Sequence, residues 1–273
     1  MIYKVFDKYN TVVTVEDSDI DAYIVSGTEI KREIVQAMGE THNEEYLPYL
    51  FPVLNHSQFD MRSEAAQSIF NINGEMGLQE LKRREEAIDE SELEHEPSEK
   101  AMLKAMILRI EGGTEAVKKY FLSDEGYEIV KYDTPFCYRS GYGFKEADID
   151  LLCFVLEECQ RKTPRWLRKL SKTDYNEMIY FTLESIWFAG QETDLLKKSN
   201  SILEKRICDI LQALLEQRIS NNSKEVIAEI TKYMRKECAK KILFLLKDNV
   251  KGDAKRAYKQ SLKLWGIEED ELQ

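Results

Sequence analysis

The sequence has 273 residues, 43% hydrophobic and 33% charged, which is enough for one large elongated domain or two compact ones. Its formal net charge of −11 opposes a phosphate backbone and argues against general nucleic-acid binding. No apolar run approaches the ~18–20 residues of a membrane span, and the N-terminus lacks an apolar signal-peptide core, so we expect a cytoplasmic protein without membrane contact.

The first 28 residues have mixed character. Residues 1–15 contain the β-branched run TVVTV at 11–15, which indicates a short strand, a hairpin over the first helix, or an extended arm. Residues 17–26 predict a short helix. A turn at Gly27-Thr28 then begins the next helix.

Residues 44–74 have the pattern of two short helices joined by a tight turn at 56–58. The apolar residues of each predicted helix share one face: Leu47, Leu50, Phe51 and Leu54 in the first, and Met61, Ala65, Ile69 and Ile72 in the second. Asp60 is placed to cap the second helix. The short turn predicts an antiparallel helical hairpin.

An internal repeat links this hairpin to its surroundings. Residues 31–39 align with residues 62–70 at an offset of 31, with a cation, a glutamate, apolar residues and a glutamine in register. A looser third copy begins at Lys100, at an offset of 38 from Arg62, and its extra residues lie in the acidic stretch 85–99, which we expect to be a solvated insertion. One hairpin cannot bury its apolar face alone, so the repeat predicts stacked hairpins.

These residues resemble HEAT repeats, especially the short form of phycobilisome-lyase-like proteins, over residues 29–84. The resemblance rests on Leu47-Pro48-Tyr49-Leu50 in the first helix and on Asp60, Arg62 and the pair Ala65-Ala66 after the turn. It implies an all-α fold, an α/α superhelix of helical hairpins. Small Ala65 and Ala66 predict close helix packing, and Arg62 is expected to bond an aspartate or carbonyls of a neighbouring turn.

The clean period stops after the third copy. Gly112-Gly113 is expected to end a helix over 98–111, and a short helix over 114–122 follows. Residues 123–144 form the longest break in helical pattern, between a repeat region at 1–122 and a helical region at 145–273. The latter is expected to continue the same superhelix with longer irregular helices, including a stripe of Ile149, Leu152, Cys153, Leu156 and Cys159 and a final helix over about 251–265. Thr173 or Asp174 and the stretch 221–223 are expected to cap two of these helices, and a break is expected near Cys238.

Two kinds of stretch are candidate partner-binding sites. The irregular loop and the basic stretch 161–172 supply the candidate residues Phe136, Tyr138, Arg139, Tyr142, Phe144, Arg165, Trp166 and Arg168. Residues 235–259 carry nine more cations against three acids. The alternatives are structural: a loop folded over the helices, a core or interface role for Trp166, and ordinary solvated helix faces.

Cysteine and histidine patterns indicate no cofactor and no metal. The five cysteines are odd in number and lack a C-x-x-C pair: Cys137, Cys153, Cys159, Cys208 and Cys238. Buried, reduced thiols are the expected state. The three histidines, His42, His56 and His95, lack ligand spacing, and exposed turn positions are expected for the first two.

The sequence contains no catalytic motif, so the leading hypothesis is a non-catalytic protein–protein interaction module. Its binding surface would be the concave face of the stack, lined by second helices such as 60–73 and 98–111. A specific version is an inhibitor or immunity-type protein whose acidity neutralises a basic enzyme. The alternative is a HEAT-like enzyme, either an alkylpurine DNA glycosylase, for which Trp187 and Glu184 are the notable pair, or a bilin lyase.

Overall fold

A computed structural model describes residues 2–6, 12–16, 27–88, 97–126, 145–192, 196 and 201–271. This part of the chain is predominantly helical, as predicted, and forms two compact units that divide between Val117 and Lys118. An antiparallel hairpin of β1 (Ile2–Phe6) and β2 (Val12–Glu16) lies beside the first described helix, which fits the predicted hairpin. No helix within these ranges is both long and apolar enough to cross a membrane.

The helices are numbered here in chain order. The first five are α1 (Gly27–Glu40), α2 (Leu47–Leu50), α3 (Phe59–Ile72), α4 (Glu75–Ala87) and α5 (Pro97–Leu122). The others are α6 (Glu146–Arg161), α7 (Lys172–Glu192), α8 (Ser201–Leu215), α9 (Asn221–Ile230), α10 (Lys236–Leu246) and α11 (Gly252–Trp265).

In the first unit, the two clearest repeat copies lie in α1 and α3, which pack against each other in parallel. Ser68 Oγ donates to the Val35 carbonyl at 2.9 Å, and one turn later Asn71 Nδ2 donates to the Gly39 carbonyl at 3.0 Å. A Cβ on Gly39 would lie 2.7 Å from Ser68 Cα, so the glycine permits this approach. Ala65, which lies on α3 with Ser68, is fully buried, as the small-residue pattern predicted.

A buried ion network joins α3, α4 and α5. Arg62 Nε donates to one carboxylate oxygen of Glu99 at 2.9 Å, and Arg84 Nε donates to the other at 2.8 Å. Arg62 also donates to the carbonyls of His56 and Ser57, which confirms its predicted bond to turn carbonyls. The Glu99 side chain is only 1% exposed, so this residue does not belong to a solvated acidic insertion as the sequence had indicated.

Two predicted details of the hairpin are wrong. The first helix is broken: α2 lies between 3-10 turns at Glu44–Tyr46 and Phe51–Asn55, because Pro48 and Pro52 each remove a backbone donor. Asp60 is not the cap of α3, since Gln58 occupies that position and makes no side-chain cap bond.

Gly113 interrupts α5 where the sequence placed a helix end. Its φ of 65° and ψ of −162° are non-helical, and a positive φ favours glycine. Beyond it, Phe121 is fully buried and packs edge-to-face with Phe154 of α6, at 5.6 Å between ring centroids. The predicted stripe on α6 is fully buried.

Several helix ends in the second unit differ from the sequence expectations. Ser171, rather than Thr173 or Asp174, caps α7 by accepting from the Asp174 amide at 3.2 Å. Ser220, rather than the stretch 221–223, caps α9. The predicted break near Cys238 falls a few residues earlier, at the 3-10 turn Thr231–Tyr233.

In the second unit, helices pack against the helix two later in the chain. One series is α6, α8 and α10, and the other is α7, α9 and α11. The contacts of α9 with α11 repeat those of the first unit. Ser261 Oγ donates to the Ala228 carbonyl at 2.8 Å, and one turn later Trp265 Nε1 donates to the Thr231 carbonyl at 2.9 Å. Residue numbers increase in the same direction along both helices, so α9 and α11 are also parallel.

We expect Glu99→Gln to lower the free energy of unfolding of the first unit by about 3–5 kcal/mol, because it leaves the Arg62 and Arg84 guanidinium groups without their carboxylate. Urea titration followed by circular dichroism measures the change. Glu111→Gln is the matched control, since the Lys82–Glu111 pair is 43% exposed on each side and should change stability by less than about 1 kcal/mol. Equal effects of the two substitutions would contradict the assignment of the network.

Gly39→Ala should destabilise the first unit, because the new Cβ would meet the Ser68 backbone. Overpacking of this kind costs about 1–3 kcal/mol. Because the new Cβ would meet backbone, we expect a cost toward the upper end of this range, which exceeds the gain of about 1 kcal/mol in helix propensity. Gly74→Ala is the control, since its Cβ would meet only the exposed Glu44 side chain. We expect thermal unfolding to show a lower midpoint for the first variant alone.

Candidate partner-binding surface

The basic stretch 161–172 lies between α6 and α7, around a 3-10 turn at Trp166–Lys169. Trp166 is buried there: its indole nitrogen donates to the Phe121 carbonyl at 3.1 Å, and its ring packs edge-to-face with Phe121 at 5.2 Å between centroids. Little of the indole is accessible to a partner. Arg165 and Arg168 are exposed, and Arg168 Nε donates to the Lys162 carbonyl at 3.0 Å.

The aromatic loop lies outside the described residues. This applies to every loop residue predicted to bind a partner, namely Phe136, Tyr138, Arg139, Tyr142 and Phe144. Their role therefore stays a prediction.

The second basic stretch forms an exposed cationic surface on α11. A shallow depression of about 450 Å³ is lined by Gly252, Lys255, Arg256, Lys259, Gln260 and Lys263. The opposite face of the helix is buried through Ala254, Ala257, Tyr258, Ser261 and Leu262. This amphipathic pattern anchors α11 on α9 and directs its cations to solvent.

Three lysines on this surface, which we call the lysine row, are Lys255, Lys259 and Lys263. Their four-residue spacing places them on one helical face over about 12 Å. None of the three forms an ion pair or a side-chain hydrogen bond with a described residue. Arg256, in contrast, pairs with Asp253 at 3.0 Å.

The surroundings of the lysine row are of mixed charge. Lys232 binds both carboxylate oxygens of Glu229 and also donates to Gln260 at 3.1 Å. The Glu225 carboxyl lies close enough to Asp253 and Glu229 that burial and these two charges raise its pKa. Acidic side chains therefore limit the cationic surface on this flank.

Arg206 of the second unit, unlike the lysine row, forms ion pairs with described acidic residues. Arg206 of α8 donates to Glu157 at 2.6 and 3.0 Å and also to Asp150, and these bonds raise the Arg206 pKa. Asp150 accepts a further bond from Lys118 at 2.7 Å. Burial would raise the Asp150 pKa, but the bonds from Lys118 and Arg206 outweigh it and lower that pKa. This cluster neutralises itself and has a structural role.

The described thiols and imidazoles have no catalytic arrangement. Burial raises the pKa of the Cys153 thiol to about 12 and also raises that of Cys159, which disfavours the nucleophilic thiolate. His42 is exposed, with Nδ1 2.9 Å from the Asn71 carbonyl, and His56 Nδ1 accepts from the Gln58 amide at 3.1 Å. Within the described ranges, no group of three His, Cys, Asp or Glu side chains could hold a metal ion.

The cations of 235–259 are evident in the sequence, but the sequence alone indicates no site residue among them. Lys263 lies beyond that stretch, and the four-residue spacing of Lys255, Lys259 and Lys263 is the signal that defines the surface. A count of cations along the chain could not separate these lysines from Arg256 and Lys232, which are paired in the fold.

Comparison with known proteins adds no assignment. No protein-family model, curated protein sequence or solved structure matches this chain.

Proposed function

We propose that this chain is a non-catalytic protein-binding module whose helices stack as a HEAT-like α-solenoid. The support is the packing within each unit, where a helix lies parallel to the helix two earlier in the chain. Side-chain bonds at spacings of 32 to 34 residues, from Ser68, Asn71, Ser261 and Trp265, join these parallel helices in both units. Stacked pairs present an extended face that suits a macromolecular partner.

The lysine row is the proposed contact surface in the second unit. In the proposed stack, α10 and α11 form one pair, and the lysine row lies on the face of α11 opposite the one packed on α9. The exposed arginines Arg165 and Arg168 are proposed as further contacts. The residues of the aromatic loop keep the same proposed role.

The proposed partner is a protein that presents an acidic segment. The observation that carries this proposal is the charge of residues 235–263, which hold ten Lys and Arg against three acids in a chain of net charge −11. With 50 acids available, the three lysines of the row still have no acidic neighbour within ion-pair distance among the described residues. Complementary charge raises association rates and selects the sign of the partner.

A short acidic segment suits this surface better than a nucleic acid. The lysine row extends over only about 12 Å, and Asp253, Glu225 and Glu229 lie beside it. A polyphosphate would extend past the cations onto acidic surface, where it is repelled. The inhibitor hypothesis requires a basic partner, and the lysine row favours the opposite charge.

The triple variant Lys255→Glu, Lys259→Glu, Lys263→Glu tests the proposal. A fluorescein-labelled peptide of twelve Glu and Asp residues serves as the probe, and fluorescence anisotropy measures its binding to the full chain at 50 mM salt. We expect at least a tenfold weaker affinity in the variant, because reversal of the row replaces attraction by repulsion. A lysate pull-down with both proteins should show a captured partner with an acidic segment only for the unaltered chain.

The control for this experiment is the triple variant Lys236→Glu, Lys240→Glu, Lys241→Glu. These exposed lysines of α10 belong to the same unit, and the control changes the net charge by the same amount. It should retain most of the peptide affinity. An equal loss in both variants would show a response to overall charge alone and would overturn the assignment of the lysine row.

A duplex DNA experiment separates this function from a glycosylase. Glu184 accepts a hydrogen bond from the Tyr180 hydroxyl at 3.1 Å, and Trp187 is half-buried. We expect a dissociation constant for a labelled 30-base-pair duplex weaker than about 10⁻⁴ M at 150 mM salt. Tight binding with a steep salt dependence, weakened by the lysine-row variant, would instead support nucleic-acid binding.

A further inference from the structure

Two thiols from different helices of the second unit lie side by side. Cys208 of α8 places its Sγ 4.0 Å from the carbonyl oxygen of Cys238 on α10. Both cysteines are free thiols. Cys208 is 2% exposed, whereas Cys238 is half-buried and accessible to a small solute. The amide Nε2 of Gln212 lies 3.1 Å from Cys208 Sγ and holds this side chain in place.

The other described thiols are not arranged in this way. Cys153 and Cys159 are both fully buried on α6. A separation of six residues places their side chains about 120° apart around the helix axis. Only the pair Cys208 and Cys238, among the described cysteines, combines a neighbouring thiol with access from solvent.

We propose that Cys208 and Cys238 are a modification site at which a hydroperoxide forms an intramolecular disulfide between α8 and α10. The thiolate of Cys238 attacks the peroxide oxygen, forms a sulfenic acid and releases water or an alcohol. The Cys208 sulfur then displaces the hydroxyl group from the Cys238 sulfur, and this group leaves as water with the proton of the Cys208 thiol. Two thiols are oxidised by two electrons and one O–O bond is reduced, so the reaction needs no further reactant.

The charges around Cys238 make this oxidation slow at neutral pH. Burial, the adjacent Cys208 thiol and the Glu204 carboxylate raise the Cys238 pKa to about 12, although Lys241 opposes them. Arg235 pairs with Glu204 at 3.1 Å and partly compensates the effect of the Glu204 charge on the Cys238 pKa. At pH 7 roughly one thiol in 10⁵ is ionised. The site therefore accumulates the disulfide under sustained peroxide exposure and does not respond to a brief pulse.

The bond would close a loop of 31 residues and tie α10, the helix that precedes the lysine row, to α8. Closure of such a loop restricts the unfolded chain. We expect the oxidised protein to unfold about 5–10 °C above the reduced protein.

The test uses the full chain and hydrogen peroxide at pH 9. After quenching at acidic pH and before alkylation, the intact mass should be 2 Da lower than that of the reduced protein. After alkylation, a non-reduced digest should contain one peptide pair joined through Cys208 and Cys238. A sulfinic acid on Cys238 together with an alkylated Cys208 would overturn the proposal. A disulfide between two protein molecules or through other cysteines would also overturn it.

Two variants complete the test. Cys208→Ser removes the resolving thiol and should direct Cys238 to the sulfinic acid, a gain of 32 Da. Cys153→Ser should leave the disulfide yield unchanged. Circular dichroism of each variant confirms that it is folded, and a variant that does not fold is replaced by alkylation mapping of the unaltered chain.

The pH dependence of the rate is an independent measurement. If Cys238 is the thiol that reacts first, the rate should rise about tenfold per pH unit from pH 7 to 10, because its thiolate fraction grows over this whole range. An ordinary cysteine, with a pKa near 8.5, would level off above about pH 9. A plateau at pH 9 would assign the first oxidation to another cysteine and contradict the proposed order of steps.

Discussion

Among the described residues of each unit, a buried serine hydroxyl donates to a backbone carbonyl of a parallel helix, and this bond requires a close approach of the two helices. Ser68 reaches Val35, and Ser261 reaches Ala228, both over 33 positions. A hydroxyl can bond a carbonyl of another helix only if the two backbones lie close together, which requires small residues between them. Gly39 and Ala65 meet this requirement in the first unit, as Ala254 and Ala257 do on the buried face of α11.

The same close packing divides the charged residues into two classes. Charges between helices are compensated within the protein: Arg62 by Glu99, and Arg206 by Asp150 and Glu157. Each buried group would carry a large desolvation cost without its partner. Lysines on outward faces have no such requirement because water solvates them. A cation such as Lys259, which pairs with no acid among the described residues, therefore costs the fold little and is available to a partner.

The sequence predicted the features that repeat and missed those that depend on distant contacts. The repeat of residues 31–39 at 62–70 was recognisable because both segments need the same pattern of small, apolar and polar residues to pack, and α1 and α3 do pack against each other. The burial of Glu99 could not be predicted, since the stretch around it is uniformly acidic and its partners lie 37 and 15 residues away. Helix caps were missed for a related reason. Several candidate residues adjoin each end, and packing selects one of them, as with Ser171 over Asp174.

The position of α11 explains why its lysine row departs from the pattern of the earlier helices. The helix α9 packs between α7 and α11, and its buried residues include Val226, Ala228 and Ile230. The face of α11 that carries the lysine row packs against no described helix, so it escapes the requirement for small or apolar side chains. In the proposed solenoid, an uncovered helix face needs polar side chains for solubility. A mixture of both signs would serve that purpose, whereas three lysines in register concentrate one sign. This excess over what solubility requires supports the proposal that the face binds an acidic partner.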